Sequence, residues 1–349
     1  MKISKKVISA ALAAALAAAM MTGCGGSAPS GNASETEKTT EAASAADNTD
    51  GKVYRIGICQ LVQHDALDRA TQGFEDALTE KLGDNVEFDY QNAQGDSPTC
   101  ATIANQFVSD GDDLIMANAT PAIQACSNAT TDIPVVGTSC TSFASALNIE
   151  LDDNNCTGMN VTGTDDLAPL DEQAQMVKDL FPDASQVGIL YCSAEVNSVY
   201  QAENIEKAFD DLGIAYKEYT FSDSNDLQSV CTTAVSESDV LYTPTDNIVA
   251  ANTELIDSIA RPAKVPIVAG EESQCIEAGL CSLSIDFYDI GYRAGEMAYD
   301  ILVNGEDPAT MPIEDPQTVK KVYNPEIAED LGITMPDDYE AIDLSSKSE

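Results

Sequence analysis

The residues of this chain that could do chemistry stand singly, each just past a short apolar run. Only one of the 349 residues is a histidine, His64, three positions beyond "VYRIGICQL" (53–61). A lone imidazole serves as general base only beside a positioned nucleophile, and no G-x-S-x-G elbow occurs. H-E-x-x-H, P-loop and strand-following G-x-G-x-x-G patterns are absent as well. Without a second histidine a transition-metal site is not expected. The ten cysteines include no C-x-x-C pair, which argues against thiol exchange and zinc knuckles. No catalytic residue, metal or cofactor is indicated, and the chain is not expected to be an enzyme.

What the polar residues offer instead is a set of hydrogen-bonding groups with short reach. In "VLYTPTDNIVAAN" (240–252) an apolar run drives into Thr245, Asp246 and Asn247. Gln60 and His64, Thr120, Ser139 and Thr141, Asn197, Glu272 and Asp286 stand at equivalent places, where an apolar run gives way to the next segment. In open α/β sheets, ligands bind outside the carboxyl ends of the strands, which is where these groups would lie. Ser, Thr, Asp and Asn also cap the helix that follows, so capping alone explains a share of them.

The elements that would position these groups alternate. "VYRIGICQL" is a strand, and Leu67, Ala70, Phe74, Ala77, Leu78 and Leu82 recur at helical spacing over 65–82. "VEFDYQN", "DLIMANA" and "PVVGTS" continue the pattern, with helices near 98–110 and from Pro121. A polar stretch over 150–167 interrupts it. Helices at 168–181, 196–212, 224–236 and 247–260 then alternate with "QVGILYC", "IAYKEYTF", "DVLYTPT" and "PIVAG". An amphipathic helix over 287–303 and a strand at 317–323 end the series. Such βα units predict parallel sheets covered by helices: an α/β chain of two doubly wound lobes.

The N-terminus calls for separate treatment. Lys2, Lys5 and Lys6 precede the apolar "VISAALAAALAAAMM", and Gly23–Cys24 follows, a secretory signal with a lipobox-like end. Residues 1–23 are read as the signal and Cys24 as the lipid attachment point, although Met21 stands where leucine is usual. Residues 25–51 hold no aromatic or branched aliphatic side chain and would form a tether spanning roughly 25–30 Å. The formal charge is −42, and removing the signal takes away three lysines and no acid. That surface repels nucleic acid and anionic lipid headgroups. Most cysteines sit in apolar runs, and only Cys275 and Cys281 are spaced for a local disulfide.

"IGICQLVQHDALDRATQGFEDAL", "DYQNAQGD", "LIMANATPAIQA", "NVTG", "VLYTPTDN" and "SIDFYDIGYRAGEMA" resemble, in this order, the ABC-transporter substrate-binding lipoproteins of tryptophan/tyrosine uptake systems. The resemblance runs from about 53 to 335. Asp65 departs from it where proline is usual, as do "GEES" at 270–273, Cys140 and Cys192. The resemblance implies a type I periplasmic-binding-protein fold with three hinge crossovers. Lobe 1 would comprise 53–160 plus 286–315, and lobe 2 would comprise 161–285 plus 316–345, after a lipid-anchored linker at 24–52. It also implies a small ligand, an amino acid with an aromatic one favoured, handed to an ABC permease at the outer face of the membrane. A sensor feeding a membrane receptor, or a sugar or nucleoside binder, shares the fold; the absence of Trp weighs against a sugar stacked on aromatics. For an amino acid, the ammonium would need a buried acceptor among Asp246, Glu272 and Asp286. Asp246 is favoured, since the next helix can start at Asn247 without it. Thr120, Ser139 and Thr141 would take the carboxylate at helix N-termini, and Phe287 or Tyr288 would supply an apolar wall.

Overall fold

The computed structural model describes residues 51–344. The signal segment, Cys24 and nearly all of the tether lie outside the described residues. Strands β1 (Tyr54–Gln60), β2 (Val86–Asn92), β3 (Leu114–Asn118), β4 (Val135–Cys140) and β5 (Val161–Asp165) alternate with helices α1 (Asp65–Leu82), α2 (Ser97–Asp110), α3 (Thr120–Ala129) and α4 (Phe143–Leu147). These strands form an all-parallel sheet in the order β2-β1-β3-β4-β5. β1, β3 and β4 are buried almost throughout because helices cover both faces, which is why they read as continuous apolar runs.

The second sheet is built from β6 (Val187–Cys192), β7 (Tyr216–Phe221), β8 (Val240–Thr243), β9 (Ile267–Ala269), β10 (Cys281–Ile285), β11 (Val319–Tyr323) and β12 (Glu340–Ala341). Helices α5 (Leu170–Leu180), α6 (Val196–Leu212), α7 (Ser224–Glu237), α8 (Asn247–Ala250), α9 (Thr253–Ala263), α10 (Glu272–Glu277), α11 (Phe287–Tyr299) and α12 (Pro325–Leu331) complete the fold. The order is β12-β11-β10-β9-β8-β6-β7, parallel except where β11 runs antiparallel to β10. Two α/β lobes result.

The chain passes between the sheets three times: after β5, after β10, and between Glu314 and β11. On the second passage α11 returns to the first lobe and lies directly on α1. Glycine permits that approach, since a Cβ on Gly291 would fall 2.0 Å from the Ala70 carbonyl oxygen. On the third, Arg293 Nε and Nη2 donate to the two carboxylate oxygens of Glu314 at 2.8 and 2.7 Å and hold the returning segment.

Several expectations need correcting. The polar stretch at 150–167 contains β5, hydrogen-bonded to β4 in the first sheet, so the second lobe does not begin at 161. β5 is legible only with its partners in view. Its buried Thr162 and Thr164 donate to the Met311 and Ile290 carbonyls, so hydroxyls hold the strand along with the packing of Val161. The single helix expected over 247–260 is two, broken at Ala251–Asn252. Cys275 and Cys281 form no disulfide: all nine described cysteines are free and buried.

Candidate functional site

The carboxyl ends of both sheets face one another, and the residues around them enclose a narrow, almost filled cavity of about 10 Å³. From the first lobe come His64, Ala66 and Leu67 at the start of α1, Ser139 near the end of β4 and Thr141 just after it, and Asp166 after β5. The second lobe contributes Asn197 on α6, Thr245, Asp246, Asn247 and Ala250 around α8, and Glu271 after β9; Phe287 opens α11. The walls touch across the gap. His64 Nε2 lies 3.3 Å from Asn247 Oδ1, and Gln201 Nε2 donates to Thr141 Oγ1 at 2.9 Å.

Eight residues named from sequence therefore meet here: His64, Ser139, Thr141, Asn197, Thr245, Asp246, Asn247 and Phe287. Gln60 does not join them. Its amide donates to Asp68 and to the Val62 carbonyl and accepts from Thr71, inside the first lobe. Thr120 borders a neighbouring gap and contacts Cys140 Sγ at 3.7 Å. Glu272 and Asp286 line an adjoining cleft beside Arg69 and Lys320, where Asp286 caps α11 and pairs with Arg69 at 3.0 Å. Tyr288 turns outward and donates to Asp76.

Three carboxylates line the pocket, and their free acceptor capacity differs. A carboxylate has about four lone-pair sites. Asp246 Oδ1 accepts from the Val249 N–H at 2.9 Å, and Oδ2 accepts from the Cys192 N–H at 2.6 Å and Ser198 Oγ at 2.8 Å. Asp246 is thus the N-cap of α8, contrary to the expectation that this helix starts without it. Glu271 accepts from the backbone N–H groups of Ser273 and Gln274 and from Ser273 Oγ, capping α10. Behind them, Glu195 takes four bonds, from Asn197, the Asn247 amide and backbone, and Ile248. Asp166 accepts one side-chain bond, from Thr141 Oγ1 at 3.1 Å. It is the pocket carboxylate with the most unused capacity.

Burial raises all of these acids. Asp166, Glu195 and Glu271 are each pushed up to about 7, and Asp246 is raised as well, by loss of water that their hydrogen bonds offset in part. His64 moves the opposite way, down to about 4, because burial disfavours its cation. Three polar atoms on the pocket wall are buried with no hydrogen-bond partner: His64 Nδ1, Ser139 Oγ and Asn197 Oδ1. Such orphans are rare in folded interiors, and three around one cavity mark it as built for something else's polar groups.

Sequence reading missed Asp166, Glu271 and Gln201. Asp166 follows the strand that was read as loop. Glu271 is the neighbour of Glu272, one of the three candidate acceptors. Gln201 stands well inside α6, yet it reaches Thr141 and brackets Thr245, accepting from its N–H and donating to its carbonyl.

Residues 55–343 match the family described as ABC transporter substrate binding protein. The chain is 36% identical over 313 residues to a tyrosine-binding protein of Clostridioides difficile, covering 89% of this chain and 87% of that one. A Streptococcus pneumonia ABC domain solved in complex with L-Trp is 33% identical, with a TM-score of 0.79 over 83% of this chain and all of the other. A Clostridium difficile substrate binding protein with adhesive properties, solved ligand-free and open, is 36% identical but superposes with a TM-score of only 0.64, over 83% of this chain and 99% of its own. At nearly equal identity, the arrangement is closer to the L-Trp complex than to the open form, as the contacts across the cleft require. Two parallel-sheet lobes, three crossings and a pocket between facing strand ends are the type I periplasmic-binding-protein fold, and the chain belongs to the ABC transporter substrate-binding protein family.

Proposed function

We propose that this substrate-binding protein encloses a free L-amino acid with an aromatic side chain and delivers it to an ABC permease. The observation that carries the reading is charge: Asp166, Asp246 and Glu271 line the pocket and no lysine or arginine does. Buried carboxylates without a cation favour a ligand that brings one. We assign the ammonium to Asp166, ahead of Asp246, because Asp166 has the larger free acceptor capacity. Ser139 Oγ, buried without a partner near the end of β4, suits the ligand carboxylate. Leu67, Ala66, Ala250 and Phe287 offer the apolar surface for a ring. The tyrosine named in one relative and the L-Trp bound in another support an aromatic ligand.

Closure follows from the ligand touching both lobes, which stabilises the closed form that a permease can recognise. The same reading includes export by residues 1–23 and lipid anchorage at Cys24, supported by the sequence pattern. The lobes would move about the three crossings, with β5 assigned to the first. Titration calorimetry with L-tryptophan, L-tyrosine, N-acetyl-L-tryptophan and glucose tests the proposal. Micromolar binding, about 8 kcal/mol, is expected for at least one free aromatic amino acid and none for the other two compounds. Equal affinity for the acetylated form would remove the ammonium from the recognition and overturn the reading.

A further inference from the structure

His64 precedes α1 but does not cap it, since its side chain makes no bond to the first turn. Its ring is engaged elsewhere. Asn247 Nδ2 donates to Glu195 Oε2 at 2.6 Å, so Asn247 must present its oxygen to His64. A neutral imidazole facing an acceptor carries its proton on that nitrogen, Nε2. Nδ1 is left with a lone pair, buried and unpartnered. A residue serving only to latch the lobes would be complete with its Nε2 bond and would have no use for a second acceptor without a protein partner.

The strand order places this acceptor relative to Asp166. β1, which leads to His64, and β5, which leads to Asp166, are separated by β3 and β4 in the first sheet. Three strand spacings put their ends roughly 14 Å apart. An amino acid anchored by its ammonium at Asp166 therefore meets His64 with the far end of its side chain. The apolar residues beside His64 agree: Ala66 and Leu67 follow it, and Ala250 lies one turn beyond Asn247.

We propose that His64 Nδ1 is a specificity-determining acceptor for an N–H or O–H at the tip of the ligand's side chain, oriented across the closed cleft by the Glu195–Asn247 relay. This inference rests on the aromatic amino-acid reading above. It predicts selection of an indole or phenol over a bare phenyl ring, because a phenyl ring leaves Nδ1 buried and unpaired.

The test is calorimetric titration of L-tryptophan, L-tyrosine and L-phenylalanine into the parent protein, His64→Leu and His64→Asn. The parent should bind tryptophan or tyrosine at least tenfold more tightly than phenylalanine, a measurement that needs no variant. In His64→Leu the preference for the best ligand over phenylalanine should shrink tenfold or more, beyond any common loss that the missing bond to Asn247 imposes on all three. His64→Asn, whose amide oxygen can stand near the Nδ1 position, should retain part of the preference. Phenylalanine binding as well as the others to the parent, or an equal loss for all three ligands in His64→Leu, would overturn the inference and leave the aromatic reading standing. If none of the three bound the parent, both would fall together.

Discussion

Replacing Asp166 by asparagine should make the empty protein close. In parted lobes the Asp166 carboxylate is hydrated and titrates near its ordinary 3.8; in the closed, empty cleft burial raises that value to about 7. A difference of about 3 units corresponds to about 4 kcal/mol. Closure raises the pKa, so the closed empty form has its full advantage below pH 3.8 and loses it as pH rises through about 7. At pH 8 the ionised side chain thus opposes ligand-free closure by a population factor on the order of a thousand. Asp166→Asn removes the charge while keeping a group that can bond Thr141. Small-angle scattering or single-molecule distance measurements on ligand-free protein at pH 5 and pH 8 read the effect. The parent should be more closed at pH 5 than at pH 8, whereas the variant should be more closed than the parent at pH 8 and match it more nearly at pH 5. Glu195, Asp246 and Glu271 contribute to the parent's pH dependence and are common to both proteins, whereas Asp165, raised in part by the Asp166 charge, is relieved of that contribution in the variant. Superimposable parent and variant profiles at pH 8 would refute the reasoning. A ligand ammonium supplies the missing partner, so amino-acid affinity should rise between pH 5 and pH 8 in the parent and be flatter and weaker in the variant.

Asp246→Ala should act on stability first, because it strands the buried N–H groups of Cys192 and Val249. A loss of about 3 kcal/mol and a Tm lower by about 5–10 °C are expected by calorimetry, and an unchanged Tm would show that the carboxylate does not hold the loop. Gly291→Ala sets a methyl against the Ala70 carbonyl at 2.0 Å; it should separate α11 from α1 and cost about 3 kcal/mol or more in denaturant unfolding. The nine buried thiols should react with an aromatic disulfide reagent only after unfolding, and a Cys24-free chain should then report nine. Rapid reaction of the native protein would contradict their burial.

The order of strands and helices was legible because each buried strand of a parallel sheet is a short apolar run and each covering helix carries a stripe at 3.6-residue spacing. β5 escaped for the converse reason. Its sequence, Val161-Thr162-Gly163-Thr164-Asp165, pairs at an edge and buries hydroxyls that find carbonyls at residues 290 and 311, more than a hundred positions away. Nothing local signals those partners. Likewise the break between α8 and α9 lies in "NIVAANTELI", which has helical composition throughout. There the turn at Ala251–Asn252 is decided by the docking of a four-residue helix whose Asp246 cap is also fastened to β6 through the Cys192 N–H.

The balance between Asp246 and Asp166 turns on the same kind of non-local contact. Asp246 drew attention because an apolar strand ends in a carboxylate, and in a buried strand that is costly. The cost is met within the lobe, by two backbone N–H groups and Ser198. A carboxylate so completely served has little left to offer a ligand. Asp166 lies in an unremarkable polar stretch, yet the fold buries it against one side-chain donor and a backbone N–H, so its desolvation is offset only in part. Which buried acid binds is therefore decided by the difference between what burial removes and what the protein returns. That difference depends on neighbours such as Thr141 and on the opposite wall supplied by the second lobe. A cleft left with a partly compensated acid is expected to part when empty and to close when filled, which is the behaviour a permease needs in order to tell the two states apart.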